Sequence, residues 1–306
     1  MKPKFAIVSD GSCDLPAEEA ARHDIEVVHF LVSFDGERYA REGVDISLSE
    51  FYQQMHDHPR QYPKTAAPSP EDFLRAFESA ARKSPFILCI CISTKLSSSM
   101  QSALIARDMM AESHPDLTIE VVDSLCATLM QSVYVLETCR LRDAGFSLEE
   151  ATEEMEKLRK TARILFTVGD LDYIQHGGRI GKMTGFAGNL LNIKPLITLE
   201  DGEIHSSGIR RGRKKSLDGL TDLLCNYLES LQLTPKDCSM ILGYSYDEEE
   251  ALQFADRTAL ALEEKYGPPV AIPSCRIGAT IGVHAGPTAI GFGIIQRADK
   301  SLQKKI

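Results

Sequence analysis

Hydroxyl side chains are concentrated in one short segment of the sequence, ISTKLSSSMQS, where five serine or threonine residues occur from Ser93 to Ser99. The apolar segment FILCICI precedes it, and a helical pattern follows. One side chain is enough to cap a helix, so capping alone does not account for five. A turn from a strand into a helix offers hydroxyl groups together with free backbone N–H groups, which suits an anion. The segment therefore predicts an anion-binding site.

A second segment, GGRIGK at 177–182, is similar to a phosphate-binding loop but lacks what such a loop needs. A Walker loop has four residues between its first glycine and the Gly-Lys pair, and a Ser or Thr then holds magnesium. Here three residues separate Gly177 from Gly181, and Met183 follows Lys182. The glycines instead lie where a predicted helix ends. We therefore do not expect a nucleotide site in this segment.

The C-terminal segment CRIGATIGVHAGPTAIG places His284 among three glycines, which permit close approach of the backbone. A histidine in such a loop is a satisfied structural residue, a hydrogen-bond donor to a buried anion, or a proton carrier. Thr65 precedes a proline-constrained turn in KTAAPSP. Taken together, the residues expected to bind a carboxylate, with Arg179 nearby, are Thr65, Ser93, Ser97 and His284.

The elements that must position these residues differ between the two halves of the chain. Strand and helix patterns alternate in the first half, which is typical of parallel strands with crossover helices. The second half contains a hairpin signal at Asp201-Gly202, two helix patterns and two late strands. We therefore predict an α/β protein of two domains with the ligand between them. They are an N-terminal parallel-sheet α/β domain at 1–160 and a C-terminal α+β domain with a mixed sheet at 161–306.

Local signals predict where several helices begin. Ser47 and Ser147 each precede a glutamate by three residues and so form capping boxes, and Ser69 is followed by proline at the first helical position. Ser12, Asp14 and Ser124 are interpreted as caps of the helices that follow them, because these residue types are common at helix starts.

Composition excludes several classes of function. The chain has 306 residues, and 34 basic against 44 acidic residues give a formal net charge of −10. This charge disfavours general nucleic-acid binding and, on average, contact with anionic membranes. The N-terminal apolar run is too short for a signal peptide, so we expect a cytoplasmic protein. The basic run RRGRKK at 210–215 is either a solvated face or a nucleic-acid patch.

The cysteines and histidines do not have metal-site spacing. The sequence has eight of each but no C-x-x-C and no H-E-x-x-H motif. We expect reduced, buried thiols and surface positions for His56 and His58. Neither a metal nor a cofactor is predicted.

Seven segments occur in a fixed order along the chain: SDGSCDLP, KTAAPSP, ISTKLSSSMQSA, the pair Asp123-Ser124, LDYIQHGGRIG, NIKPLI and VHAGPTAIG. Together they resemble the DegV family of bacterial fatty-acid-binding proteins. The likeness runs from residue 5 to residue 295, and LDYIQHGGRIG followed by NIKPLI is its most specific part.

The resemblance implies a long-chain fatty acid with its tail enclosed and its carboxylate held by hydroxyl side chains. Thr65 and Ser97 match the head-group site, His284 matches the family's histidine near the carboxylate, and Arg179 matches the arginine of its G-G-R-I motif. It also implies a non-catalytic subunit that presents the acid to a separate ATP-binding fatty acid kinase subunit. Arg211 matches an arginine that faces this kinase or the phosphate. The basic run around it allows a transient membrane contact.

The sequence departs from the family pattern at two places. Ala66 and Ala67 stand where the family has T-S-Q-P, and Ser98 and Ser99 stand where it has L-S-G-T. Both changes lie beside head-group residues. They bear on the geometry of the head-group site and on the preferred lipid.

Two other functions compete with the carrier interpretation. Ser97 or Ser93, with His284 and either Asp123 or Asp10, contains the residue types of a hydrolase triad, although no G-x-S-x-G motif is present. Such a protein would be a serine-dependent lipid esterase. A stand-alone lipid sensor without a kinase is the second alternative. Turnover of an ester identifies the first, and phosphorylation of the bound acid by a kinase subunit excludes the second.

Overall fold

The computed structural model describes residues 5–169, 171–181, 192–299 and 302. The strands in these ranges are β1 Ala6–Asp10, β2 Ile25–Val28, β3 Leu31–Ser33, β4 Ala40–Arg41, β5 Lys64–Ala66, β6 Phe86–Cys91, β7 Thr118–Asp123, β8 Arg163–Thr167, β9 Ile193–Glu200, β10 Glu203–Arg211, β11 Cys238–Tyr244, β12 Ser274–Arg276 and β13 Ile290–Gln296. The helices are α1 Ala17–Arg22, α2 Leu48–Asp57, α3 Pro70–Ala81, α4 Ser99–Ser113, α5 Thr128–Asp143, α6 Leu148–Arg159, α7 Asp172–His176, α8 Arg213–Ser230, α9 Glu248–Tyr266 and α10 Ala279–Ala285.

The N-terminal half contains a parallel sheet of four strands in the order β2-β1-β6-β7. Every residue of β1 is buried, because α3 and α4 pack on one face of the sheet and α5 and α6 pack on the other. A strand covered on both faces reads as a continuous apolar run, which explains FILCICI in β6. The prediction of a parallel sheet with crossover helices is confirmed.

The C-terminal half contains a six-stranded sheet in the order β10-β9-β8-β13-β11-β12. All its neighbours are antiparallel except β11 and β12, so the predicted mixed sheet is confirmed. The hairpin between β9 and β10 turns at Asp201 and Gly202, whose φ angles are 49° and 79°. These left-handed values belong to a tight hairpin turn, as the Asp-Gly signal predicted.

Helix α5 lies between the two large sheets, since its residues contact strands of both. Twelve of the sixteen residues of α5 are buried, several polar ones among them. The strands of the parallel sheet fall within 6–123 and those of the mixed sheet within 163–296. The division of the chain near residue 160 stays a prediction.

A third sheet, β4-β3-β5, was not predicted. The segment EVVHFLVSF is strand-like throughout, but the structure divides it into β2 and β3, which belong to different sheets. The small sheet packs with α2 against α10 through the buried residues Val32, Phe51, Tyr52, Met55, Ala279 and Val283. The glycine-rich segment around His284, interpreted as a loop, therefore includes helix α10.

The helix starts predicted at Ser47, Ser69 and Ser147 are confirmed. Each serine hydroxyl accepts a hydrogen bond from the backbone N–H three residues on, and the acidic side chain of that residue accepts one from the serine N–H. These reciprocal bonds satisfy donors that a helix start otherwise leaves free.

The interpretation of Ser12, Asp14 and Ser124 as helix caps is wrong. Helices α1 and α5 each begin without a side-chain cap. Ser12 Oγ donates to Asp10 Oδ1 at 2.6 Å, and Ser124 Oγ accepts from the backbone N–H two residues on. Asp14 has a left-handed φ of 52° and a buried carboxyl group. Short polar side chains at strand ends bond to one another as readily as to a helix start.

The eight cysteines are unpaired, and His56 and His58 are exposed. Across the described ranges, no group of three or more His, Cys, Asp or Glu side chains is placed to hold a metal ion. In the same ranges, no helix is both long and apolar enough to cross a membrane.

Candidate functional site

An apolar cavity lies between α5, the mixed sheet and α10, with an empty volume of about 970 Å³ including its opening. Its apolar lining consists of Phe30, Ile92, Leu96, Ala127, Leu129, Met130, Ile164, Phe166, Ile174, Leu199, Ile204, Ile277, Ile281, Ala285, Ala289 and Ile290. Its polar lining consists of Thr65, Ser97, Thr128, Arg179, Thr280 and His284. A mostly apolar pocket with a few polar groups is typical of a small-molecule site.

Thr65 and His284 are in direct contact at the cavity wall. Thr65 Oγ1 of β5 lies 3.2 Å from His284 Nε2 of α10. The contact exists because the small sheet packs on α10. One face of this helix carries Ala279 and Val283 into the small-sheet core, while His284 faces the cavity.

His284 is a neutral side chain near neutral pH. Burial, followed by the positive charge of Arg179, lowers its pKa from 6.5 to about 4. Its Nδ1 atom is buried and has no hydrogen-bond partner among the residues that the structure describes. Gly177 lies against the ring, because a Cβ there would be 2.1 Å from Nδ1. The first glycine of the G-G-R-I segment thus makes room for the imidazole.

Arg179 lines the cavity and connects two of the motif segments. Its Nε donates to the carbonyl of Leu96 at 3.0 Å, and a terminal nitrogen donates to the carbonyl of Gly177 at 2.6 Å. Leu96 immediately precedes Ser97 in the hydroxyl-rich turn. The arginine therefore holds the segment that follows helix α7 beside this turn. Leu96, Ser97 and Arg179 all line the cavity.

Ser97 lines the cavity and is positioned by the buried carboxyl group of Asp10, for which the sequence suggested only a place in a hydrolase triad. Its Oγ accepts a hydrogen bond from the backbone N–H of Ser99, and Ser99 Oγ donates to Asp10 at 2.7 Å. Asp10 also accepts from the backbone of Ile92 and from the Ser12 and Gln131 side chains. Burial raises the pKa of Asp10, while these hydrogen bonds oppose the rise. Four donors on one carboxyl group hold the turn in one conformation.

Two residues proposed for the site lie outside the cavity lining. Ser93 is fully buried, and its Oγ donates to the carbonyl of Gly202 at 2.9 Å, which ties the turn to the β9–β10 hairpin. Arg211 is the exposed last residue of β10. Lys182 and Met183, which decided against a phosphate loop, lie outside the described residues.

The described residues do not form a Ser-His-Asp arrangement. In a triad, the histidine Nδ1–H is held by a carboxylate. His284 Nδ1 has no such partner, and its other nitrogen contacts Thr65. Asp123 accepts from the backbone N–H and side chain of Thr94, and Asp10 is occupied by its own four donors. The described residues therefore do not place the side chains of the esterase alternative in a triad geometry.

Glycines on two paired strands form part of the cavity floor. Gly243 of β11 is paired with Gly291 of β13, and Gly293 lies two residues further along β13. A Cβ on Gly243 would be 3.0 Å from Leu129, and one on Gly293 would be 3.2 Å from Met130. The absence of side chains lets α5 approach the sheet while space remains between them. Helical and strand periodicity gave no sign of this floor.

Comparison with known proteins places this geometry in a family. The model of the DegV family, described as an uncharacterised protein family, matches residues 4–297. The chain belongs to the DegV family. A DegV domain-containing protein of Caldanaerobacter subterraneus is 32% identical over 288 residues, covering 94% of this chain and 97% of the relative.

Solved structures of fatty-acid-binding proteins share this fold over nearly the whole chain. The structure of a stearic acid-binding protein from Eubacterium ventriosum is 37% identical, with a TM-score of 0.89, and the match covers 97% of this chain and 99% of that one. The structure of a fatty-acid-binding DegV family protein from Thermus thermophilus is 32% identical, with a TM-score of 0.81 and coverage of 96% and 99%. The α/β fold predicted from the resemblance is confirmed.

Proposed function

We propose that this DegV protein binds a long-chain fatty acid in the cavity between the sheets. The observation that carries the proposal is the combination of an apolar cavity with one connected polar cluster in its wall. In that cluster Thr65 contacts His284, His284 lies against Gly177, and Arg179 is bonded beside Ser97. Relatives with this fold bind fatty acids.

The physical chemistry of the two parts matches the two parts of a fatty acid. Each buried methylene contributes about 0.8 kcal/mol, so a tail of about sixteen carbons gives on the order of 10 kcal/mol before entropy costs. A buried carboxylate needs hydrogen bonds or a countercharge. The cavity wall provides such donors and one positive charge. They come from the hydroxyls of Thr65 and Ser97, the imidazole of His284 and the guanidinium of Arg179.

The proposed site differs from the initial set in one residue. Ser93 has a structural partner in the hairpin, so we assign it to the support of the turn rather than to the carboxylate. The cavity is lined by residues on both sides of position 160, from Phe30 to Met130 and from Ile164 to Gly293. This supports a ligand held between the proposed domains 1–160 and 161–306.

We also propose that a separate ATP-binding kinase subunit phosphorylates the bound carboxylate. The family resemblance motivates this step, and Arg179 at the head group and the exposed Arg211 are the residues assigned to it. This role implies a cytoplasmic protein, and the exposed basic residues beside Arg211 would allow a transient membrane contact.

Arg211→Ala should lower acyl-phosphate formation by a supplied kinase subunit and leave fatty acid binding unchanged. The exposed Arg82→Ala serves as control. No phosphorylation of bound acid by any kinase subunit would favour the stand-alone sensor.

Binding itself is tested by calorimetric titration of the delipidated protein with a long-chain acid and with the alcohol of equal length. The proposal predicts a clear preference for the acid, because only the carboxylate uses Arg179 and the hydroxyl donors. Equal affinity for the two compounds would contradict the assignment of the head-group cluster.

A further inference from the structure

Two buried carboxyl groups meet beneath the start of α10. Asp14 follows the 3₁₀ turn Gly11–Cys13, and Glu42 follows β4. One oxygen of each, Asp14 Oδ1 and Glu42 Oε1, lies 2.2 Å from the point that a Cβ on Gly278 would occupy. Only a glycine leaves room there, and the two acids are immediate neighbours.

Their hydrogen bonds leave one atom without a partner. Asp14 Oδ2 accepts from Thr128 Oγ1 at 2.6 Å, and Glu42 Oε2 accepts from the backbone N–H of Thr280 at 3.1 Å. The backbone N–H of Gly278 also faces the Asp14 carboxyl group and lowers its pKa, but Asp14 Oδ1 is buried and has no hydrogen bond of good geometry among the described residues. Within those residues, neither carboxyl group forms an ion pair with a lysine or arginine. Two adjacent buried negative charges without a countercharge are strongly unfavourable.

We propose that Asp14 and Glu42 share one proton, in a carboxylic acid–carboxylate hydrogen bond between Asp14 Oδ1 and Glu42 Oε1, and that this bond fastens the start of α10. The shared proton supplies the donor that Asp14 Oδ1 otherwise lacks. It also leaves the pair with a single negative charge, which the backbone N–H of Thr280 and the hydroxyl of Thr128 stabilise.

The surrounding groups do not replace this proton. The titratable and charged side chains near the pair are Asp10 and Cys13 before Asp14, His29 and Arg41 beside Glu42, Tyr52 from α2, and Cys275 and Arg276 from β12. Burial raises the pKa of Cys13 to about 12 and raises the pKa of Tyr52 and of Cys275, so these groups stay neutral. Burial lowers the pKa of His29, which keeps it uncharged at neutral pH.

The charged neighbours do not neutralise a second negative charge on the pair. Arg41 pairs with Asp45, and Arg276 is directed to Ser49 and Glu248. A negative charge on Asp10 raises the pKa of Asp14, so Asp10 does not provide a countercharge for the pair. Burial, and then the charge of Glu42, raises the pKa of Asp14 well above its usual value, and burial raises the pKa of Glu42. The pair therefore loses its second proton at a higher pH than an isolated carboxyl group would.

The position of the pair connects this proton to the cavity, a step that rests on the proposed function. Thr128 and Thr280, which bond to the two acids, both line the cavity, and α10 also carries Ile281 and His284 into it. Loss of the proton at higher pH would place a second charge beside the first turn of α10. We expect this wall to open more often and the acyl ligand to leave faster.

The sign of the pH effect follows from linkage. A carboxyl group whose pKa is raised on folding stabilises the folded state fully below its ordinary pKa, and this stabilisation is lost as pH rises through the raised value. Stability of the α10 contact should therefore fall from mildly acidic to alkaline pH. This is opposite to the direction expected for a carboxylate held by a cation.

The first experiment is infrared spectroscopy of the full chain, which detects the C=O stretch of a protonated buried carboxylic acid. We expect this band at neutral pH, its loss as pH rises, and its reduction in both Asp14→Asn and Glu42→Gln. The exposed Glu112→Gln should leave it unchanged. A wild-type spectrum without the band at neutral pH, or a band unaffected by both buried substitutions, would overturn the proposal. If one variant fails to fold, the other decides the matter, because Asp10 is a further buried carboxyl group with a raised pKa and the wild-type band alone does not distinguish it from the pair.

The second experiment measures transfer of a fluorescent fatty acid from the protein to neutral lipid vesicles as a function of pH. We expect release to accelerate with pH above neutrality, by at most about tenfold per pH unit, the limit for loss of one proton. Asp14→Asn, whose amide can donate to Glu42, should remove this dependence. A pH-independent rate in the wild type would overturn the link to the cavity. No uptake of fatty acid at any pH would instead contradict the proposed function and leave the infrared result standing.

Discussion

Thr65 Oγ1 lies 3.2 Å from His284 Nε2, although 219 positions separate the two residues in the sequence. The contact joins β5 of the small sheet to α10, and both side chains line the cavity. A hydroxyl and an imidazole without a net charge form a pair that can reorient its donor toward an incoming carboxylate. The fatty acid head group is therefore expected to bind beside the Thr65–His284 contact.

Replacing Thr65 with valine should weaken fatty acid binding without unfolding the protein. Valine retains the shape of threonine but removes the hydroxyl, and a hydrogen bond to a charged group is worth about 1.5–3 kcal/mol. We expect about a 10- to 100-fold loss of affinity for the acid, measured by calorimetry. Thr118→Val, at an exposed position, is the matched control. Unchanged affinity in Thr65→Val would remove this residue from the head-group site.

Gly177→Ala should disturb His284 directly. An alanine Cβ would lie 2.1 Å from His284 Nδ1, so either the ring or the backbone corner must shift. We expect a loss of about 1–3 kcal/mol in the free energy of unfolding and weaker binding. Gly178→Ala is a neighbouring control, because a Cβ there meets nothing within 4 Å, although φ is +68°. Gly177 has an ordinary φ of −72°, so left-handed strain affects only the control and affinity is the readout that separates the two. An equal loss of affinity in both variants would mean that a shift of the backbone corner, not the ring contact, is responsible.

His284 should remain neutral through the physiological range. Its pKa of about 4 lies below the ordinary 6.5, chiefly through burial and then through Arg179. The unfolded chain binds the proton more tightly, so stability is retained above about 6.5 and is lost as pH falls toward about 4. An NMR titration should show no protonation of this ring near neutral pH. Arg179→Gln should raise the pKa, and a pKa near 6.5 in the wild type would contradict the buried, cation-adjacent position.

Gly243→Val tests the glycine floor of the cavity. The new side chain would point at Leu129 and occupy space that the strand pair leaves open. Overpacking costs about 1–3 kcal/mol, so affinity for the longest acids should fall by roughly tenfold or more, while shorter acids are retained. A series of saturated acids of increasing length provides its own internal control. A uniform loss across all lengths would point to a general folding defect instead.

The sequence predicted the parts of the fold that local patterns encode. Continuous apolar runs indicated the parallel strands, the Asp201-Gly202 pair indicated the hairpin, and serine–acid pairs marked helix starts. Each of these signals depends on residues close together in the chain. That is why they were readable without tertiary information.

The parts that failed depend on contacts between distant residues. EVVHFLVSF has the composition of one strand, but tertiary pairing divides it between two sheets. The segment containing α10 looked like a loop because it is rich in glycine. Its glycines are required where other side chains approach the backbone closely, as Asp14 and Glu42 do at Gly278, and not for flexibility. Asp14 resembled a helix cap, yet its partner Glu42 is brought to it only by folding. Likewise, the four donors of Asp10 come from three separate segments.

The candidate site was anticipated mainly by the family resemblance, and the physical reading of the hydroxyl-rich turn agreed with it. Thr65, Ser97, Arg179 and His284 all line one cavity. Ser93 belongs to the same hydroxyl-rich segment, but its side chain faces the β9–β10 hairpin. Counting hydroxyl groups cannot distinguish the two serines, because the direction of each side chain is set by the turn.

The most direct measurement is organic extraction of the purified protein followed by mass spectrometry and quantification of lipid per chain. The account predicts about one long-chain fatty acid per wild-type chain, and clear depletion in Thr65→Val combined with Ser97→Ala, with the Thr118→Val variant retaining its lipid. Absence of fatty acid from the wild-type protein, together with no uptake of added long-chain acids, would contradict the central claim.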